Sequence, residues 1–75
     1  MANFPILSGQ QVVRVLTNLG WEIARKKGSH IIMIKEGHMA TLSIPDHREV
    51  AKGTLRSLIR SACLTVDDFV HAMNK

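Results

Sequence analysis

With 75 residues the chain has the size of one domain, and a domain this small buries only about 60% of the surface its unfolded chain exposes. Hydrophobic residues make up 45%, enough for a core without staples, and the single cysteine, Cys63, excludes an internal disulfide and suits a reducing compartment. Ten Lys and Arg against six Asp and Glu give a net charge of +4, which favours a polyanion or an acidic protein partner.

Residues 1–7 form a short lead-in, in which Pro5 discourages an earlier helix start. Ser8-Gly9-Gln10-Gln11 fits a capping box, with Ser8 as N-cap and Gln11 reaching back from the third helical position. Val12, Val13, Leu16 and Leu19 then repeat at helical spacing, and Gly20 is a good stop, so a first helix is predicted over 9–19. A first strand follows over 21–25, where Trp21 and Ile23 alternate with Glu22 and Ala24, and residues 26–29 make the turn.

Residues 30–35 are rich in β-branched side chains, and Glu36-Gly37 signals a tight hairpin. Alternation resumes over 39–44, with Ala40, Leu42 and Ile44 on one side, and Pro45 ends the run. A polar connection over 45–53 leads to an apolar stripe of Leu55, Leu58, Ile59 and Ala62, a second helix. Thr65-Val66-Asp67-Asp68 resembles another capping box and opens a short last helix carrying Phe69, Val70 and Met73. The predicted architecture is α+β, in the order α-β-β-β-α plus a short extra C-terminal helix. A three-stranded antiparallel sheet would carry its helices packed on one face.

The stretch with most chemical content is Arg25-Lys26-Lys27-Gly28-Ser29-His30. Three cations run into a glycine turn, and a histidine then opens an apolar strand. Histidine takes and gives a proton near neutral pH, and the cations attract phosphate. Together they are a minimal kit for cutting RNA without a metal. No CxxC, HxH or HExxH spacing supports a metal site, and no cofactor is expected. Phe4, Trp21 and Phe69 are the only aromatics, and there is no tyrosine, which argues against a base-stacking platform. Neither a signal peptide nor an apolar span of about 18 residues is recognisable, so a cytoplasmic protein is expected.

A series of short motifs runs along the chain: Leu16-x-x-Leu19-Gly20-Trp21, Lys27-Gly28-Ser29-His30 and Ile44-Pro45-x-His47. They continue through Lys52-Gly53-Thr54-Leu55-x-x-Leu58-Ile59-Arg60-x-Ala62 and Leu64-Thr65-x-Asp67-Asp68-Phe69. In this order they resemble a known family, the HicA-type mRNA interferase toxins of bacterial type II toxin–antitoxin systems. The resemblance implies one HicA-like domain over 1–75 with a double-stranded-RNA-binding-domain-like fold. It also implies an active-site histidine at His30, mRNA as substrate, and a HicB-like antitoxin covering the active surface. Cys63 departs from the pattern, standing where the family commonly has glycine, and this leaves the ending of the second helix open.

His30 is accordingly the candidate catalytic residue, most simply a general base; the bland alternative is a histidine that only hydrogen-bonds at a strand end. Arg25, Lys26 and Lys27 are candidate RNA-binding residues, Lys27 being the one expected to reach the reacting group. Gly28 supplies positive-φ freedom that turns backbone N–H groups toward an anion, and Ser29 either donates to a phosphoryl oxygen or only finishes the turn. His47 is a possible second proton-transfer group, although a loop histidine beside an aspartate is more often a solvated surface residue. Lys52 joins the RNA-binding set, and Arg56 with Arg60, four apart on one helix face, either extends the track or meets acidic residues of the antitoxin. His38 and His71 receive no role, and Trp21 is expected in the core. Two rival readings remain at this point: a non-catalytic RNA-binding module of the same fold, and an interaction protein whose basic face serves an acidic partner alone.

Overall fold

The structure is a computed structural model that describes residues 6–74. The lead-in and Pro5 therefore lie outside the described residues, apart from Ile6 and Leu7. The chain runs α1 (Gly9–Asn18), β1 (Glu22–Lys27), β2 (His30–Ile34), β3 (Leu42–Pro45), α2 (Lys52–Ser61) and α3 (Val66–Met73). The strands form one antiparallel sheet in the order β1-β2-β3. An α-β-β-β-α order with helices packed on an antiparallel sheet is the double-stranded-RNA-binding-domain-like fold.

Local signals start the helices where expected. Ser8 Oγ accepts from the Gln11 N–H at 3.2 Å, and Gln11 Oε1 accepts from the Ser8 N–H at 2.8 Å. Thr65 and Asp68 make the same reciprocal pair ahead of α3, both bonds at 3.0 Å. Satisfying two orphan donors at once is what fixes a helix start. By contrast α2 begins at Lys52, inside the segment expected to be a connection. Its N-cap, Ala51, offers no side-chain acceptor, so the usual start signal is missing there.

Both α1 and α2 end in Schellman motifs. Trp21 N–H donates to the Leu16 carbonyl and Gly20 N–H to that of Thr17; likewise Leu64 donates to Ile59 and Cys63 to Arg60. The motif requires a left-handed residue just past the helix. Gly20 meets that demand at φ 97° and Cys63 at φ 59°, so the cysteine performs glycine's task with a side chain attached. Trp21 is thereby drawn out of β1 and into the core, where it is 1% exposed, with its ring edge-on to His38 at 4.9 Å.

The strands shift from their expected bounds for identifiable reasons. Lys27 pairs directly with His30, so the turn is Gly28-Ser29 alone and both lysines belong to β1. Gly28 at φ 60° is the one left-handed residue of that turn, the φ pattern of a type II′ hairpin with glycine first. A bulge between Ile23 and Arg25 breaks the expected alternation in β1 and leaves Ile23 57% exposed. At the other hairpin Glu36-Gly37 does turn, but residues 38–41 stay outside the sheet. His38 Nε2 bonds to the Ser61 carbonyl at 3.1 Å, pulling the chain toward the end of α2, and β3 starts only at Leu42.

Ile31 and Met33 of β2, with Leu42 and Ile44 of β3, point into the core from one face of the sheet. Helices α1 and α2 both pack on β3, and α3 bridges between them. The last helix is therefore a core element: Phe69 is fully buried and Ala72 nearly so. Burying one such aromatic side chain contributes about 1.5–3 kcal/mol.

Candidate RNA-cleavage site

The antiparallel register assigns every residue of the basic run to a face. Directly paired residues share a face, so Lys27 (paired with His30) and Arg25 (paired with Ile32) lie on the side of the sheet away from the helices. Pro45 and Ser43 complete that face through their pairing with His30 and Ile32. Lys26 is paired with Ile31, which is buried under the helices, and so leaves from the opposite side. The three consecutive cations are thus split two against one. Arg25 and Lys27 share an open, solvent-facing surface with His30, Lys27 directly opposite it.

His30 is exposed, and among the described residues its ring makes no hydrogen bond. Both ring nitrogens are therefore free to meet a ligand, and the reading of a histidine occupied only in finishing a strand finds no partner to support it. The Lys27-to-His30 backbone is held at both ends: by the two-residue turn and by the Asp46 N–H, which donates to the Ser29 carbonyl at 2.7 Å. Gly28 would give an added Cβ open space, so its requirement is one of φ and not of room.

The remaining candidates lie elsewhere. His47 is exposed, and its carbonyl accepts from the Gly9 N–H at 2.9 Å, which ties the segment after β3 to the start of α1. Lys52 stands in the first turn of α2 beside a cavity of about 270 Å³ lined by Ile6, Val50 and Leu55. Arg56 and Arg60 border a shallow groove of about 390 Å³ between α2 and the start of α3. All three belong to the helix layer, on the other side of the sheet from the face that carries His30. The structure therefore brings together Arg25, Lys27 and His30, and leaves Lys52, Arg56 and Arg60 apart from them.

One participant carries no local signal in the sequence. Asp46 lies 2.8 Å from Lys26 Nζ and accepts from Gln10 Nε2 at 3.1 Å. The Lys26 ammonium, and then the Gln10 amide, hold its carboxyl below the usual carboxylate range. Gln10 and Asp46 are 36 positions apart, and no periodicity or motif relates residues at such a distance. Only the adjacency Pro45-Asp46-His47 drew attention to this segment.

Among the described residues no three His, Cys, Asp or Glu side chains are grouped to hold a metal ion, and no helix is long and apolar enough to cross a membrane. Curated proteins furnish no match to the chain. The family model described as HicA toxin of bacterial toxin-antitoxin matches residues 9–64. That span runs from the first residue of α1 to the close of the Schellman motif after α2, and it encloses the whole sheet with its histidine. By this match the chain belongs to the HicA toxin family of bacterial toxin–antitoxin systems.

Proposed function

We propose that this toxin is a metal-independent endoribonuclease that cleaves mRNA in the cytoplasm with His30 as its proton-transfer group, and that a HicB-like antitoxin neutralises it by covering the same face. Membership of the family makes the chain a toxin with nuclease activity, an RNA substrate and an antitoxin partner. The observation that carries the finer reading is the placement of an exposed, unbonded imidazole directly across the strand pair from Lys27, with Arg25 on the same open face of the sheet.

In this mechanism the RNA backbone lies along the open face, drawn there by Arg25 and Lys27. His30 takes the proton from a ribose 2′-hydroxyl, whose oxygen attacks the adjacent phosphorus. The bond to the 5′-oxygen breaks, and the leaving oxygen takes up a proton from water or from a second group, for which His47 is the candidate. The products are a 2′,3′-cyclic phosphate and a 5′-hydroxyl. A positioned base contributes about 10²–10⁴-fold, and the two cations stabilise the charge developing on the phosphoryl oxygens. Gly28 and Ser29 would offer backbone and hydroxyl donors to the same phosphate. Lys52, Arg56 and Arg60, on the helix layer, suit an outlying part of the RNA track or acidic residues of the antitoxin, where charge speeds capture.

The test is cleavage of a defined RNA by purified protein in EDTA, with His30→Ala alongside and the product ends analysed. The expected result is cutting by the natural protein alone, leaving 5′-hydroxyl ends. Full loss of cutting in EDTA, 5′-phosphate ends, or undiminished cutting by His30→Ala would sink the mechanism. RNA binding without cutting by either protein would favour a non-catalytic RNA-binding module.

A further inference from the structure

We propose that Asp46 is a positioning residue for RNA cleavage, its carboxylate anchoring to Lys26 and Gln10 the backbone stretch that holds the Gly28-Ser29 turn ahead of His30. The proposal rests on His30 being the proton-transfer group.

Three elements converge on Asp46. Its Oδ2 meets Lys26 Nζ of β1 at 2.8 Å, and its Oδ1 accepts from Gln10 Nε2 of α1 at 3.1 Å. Its own N–H donates to the Ser29 carbonyl at 2.7 Å, one residue before His30. Pro45, immediately before it, is paired with His30 across the sheet. Asp46 is therefore bonded to the turn one residue before His30 and is itself held from two directions. Its side chain is only 21% exposed, whereas that of Lys26 is 57% exposed.

The bond to Ser29 comes from the Asp46 backbone and would survive removal of the side chain. What the carboxylate adds is the location of that backbone. Without it, residues 45–47 are hydrogen-bonded to the rest of the molecule through main-chain groups alone, and the side-chain ties to β1 and α1 are lost. An exposed ion pair contributes little to global stability, so its removal should loosen the turn without unfolding the domain. A misplacement of about 1 Å at a reacting group can cost up to about a hundredfold in rate.

The carboxylate has a second effect on the same site. It neutralises Lys26 on the helix side of the sheet, so the RNA-facing surface presents only Arg25 and Lys27 beside His30. Removing Asp46 frees an ammonium and raises the net charge by one. Affinity for RNA and rate of cutting should then move in opposite directions, which a merely structural role cannot produce.

The experiment compares the natural protein with Asp46→Ala, Lys26→Ala, the double variant and His30→Ala. It measures RNA affinity across a salt series, the single-turnover cleavage rate at saturating RNA, and hydrogen exchange at the amide of residue 46. Asp46→Ala is expected to bind RNA at least as tightly as the natural protein in low salt, yet cut it about ten- to a hundredfold more slowly. The amide of residue 46 should exchange faster while amides of α2 and α3 keep their protection. The double variant should cut no more slowly than Asp46→Ala, because one interaction is lost in both. Cutting by Asp46→Ala at the natural rate, a loss of affinity alone, or loss of protection throughout the molecule would overturn the proposal. If His30→Ala cuts like the natural protein, or the natural protein does not cut, it is the His30 reading that fails. Exchange at residue 46 then still decides whether the Asp46 clamp exists.

Discussion

Gly9→Ala separates what the sequence suggests from what the fold imposes. Glycine in a helix is worse than alanine by about 1 kcal/mol, so helix propensity alone makes this substitution stabilising. In the structure a Cβ built on Gly9 would stand 2.2 Å from the Pro45 carbonyl oxygen and 2.9 Å from the Asp46 Cα. Both are backbone atoms of the segment that leaves β3, and neither can swing aside as a flexible side chain would. Restoring an ordinary contact of 3.4 Å requires α1 and that segment to part by about 1.2 Å. Such a shift strains the bond from the Gly9 N–H to the His47 carbonyl, 2.9 Å long. Overpacking of this kind costs about 1–3 kcal/mol, and a lost hydrogen bond about 0.5–1.5 kcal/mol. Less the propensity gain, the net loss is about 0.5–3.5 kcal/mol, against a total stability of about 4–11 kcal/mol for a domain of this length. Thermal unfolding followed by circular dichroism should show Tm lowered by at least about 2 °C, since each kcal/mol shifts a domain of this size by about 4–8 °C. Because the seam carries Asp46, cleavage should fall at temperatures where the variant is still folded. An unchanged or raised Tm would refute the close approach of α1 to residues 45–47 and the argument built on it.

Arg25→Ala with Lys27→Ala should weaken RNA binding and flatten its salt dependence by about 0.7 in slope for each phosphate contact removed from a single strand; Lys26→Ala should leave the slope unchanged, as a filter-binding salt series would show. Cys63→Gly should stabilise the protein by about 1 kcal/mol, because glycine takes the left-handed conformation without the cost a Cβ brings; a Tm no higher than that of the natural protein would contradict the strain read at φ 59°. Acid should destabilise the fold. Asp46 (through Lys26, then Gln10) and Asp68 (through the Thr65 N–H, then its hydroxyl) both have carboxyl pKa values lowered from 3.8. Each favours the folded state above its unfolded pKa, and that stability is lost as pH falls through the lower folded value. Denaturation midpoints should thus hold steady down to about pH 4 and decline below it, less steeply in Asp46→Asn and Asp68→Asn.

Signals confined to a few adjacent residues were legible in the sequence. The capping boxes at Ser8/Gln11 and Thr65/Asp68, the order of elements, the core placement of Trp21 and the Gly28 turn all follow from short-range stereochemistry, and the structure has each of them. The run Lys27-Gly28-Ser29-His30 is likewise contiguous in the sequence, and its turn brings Lys27 opposite His30. Element bounds were less legible wherever a distant contact overrode a local preference. Residues 39–41 of the expected third strand stayed outside the sheet, following His38, which bonds to Ser61, and α2 started at an uncapped Ala51.

The tertiary structure alone decided which members of the basic run share a face with His30. A strand alternates its faces, but the face each cation takes depends on where the hairpin turns, and a turn two residues long puts Arg25 and Lys27 with His30 and sends Lys26 to Asp46. It also brought Gly9 against the Pro45 and Asp46 backbone and Gln10 to the Asp46 carboxylate, partners more than thirty residues apart. Sequence determines what each residue can do through bonds and neighbours along the chain. Which of those capacities are used is set by packing, because burial and pairing energies depend on residues that only folding brings together.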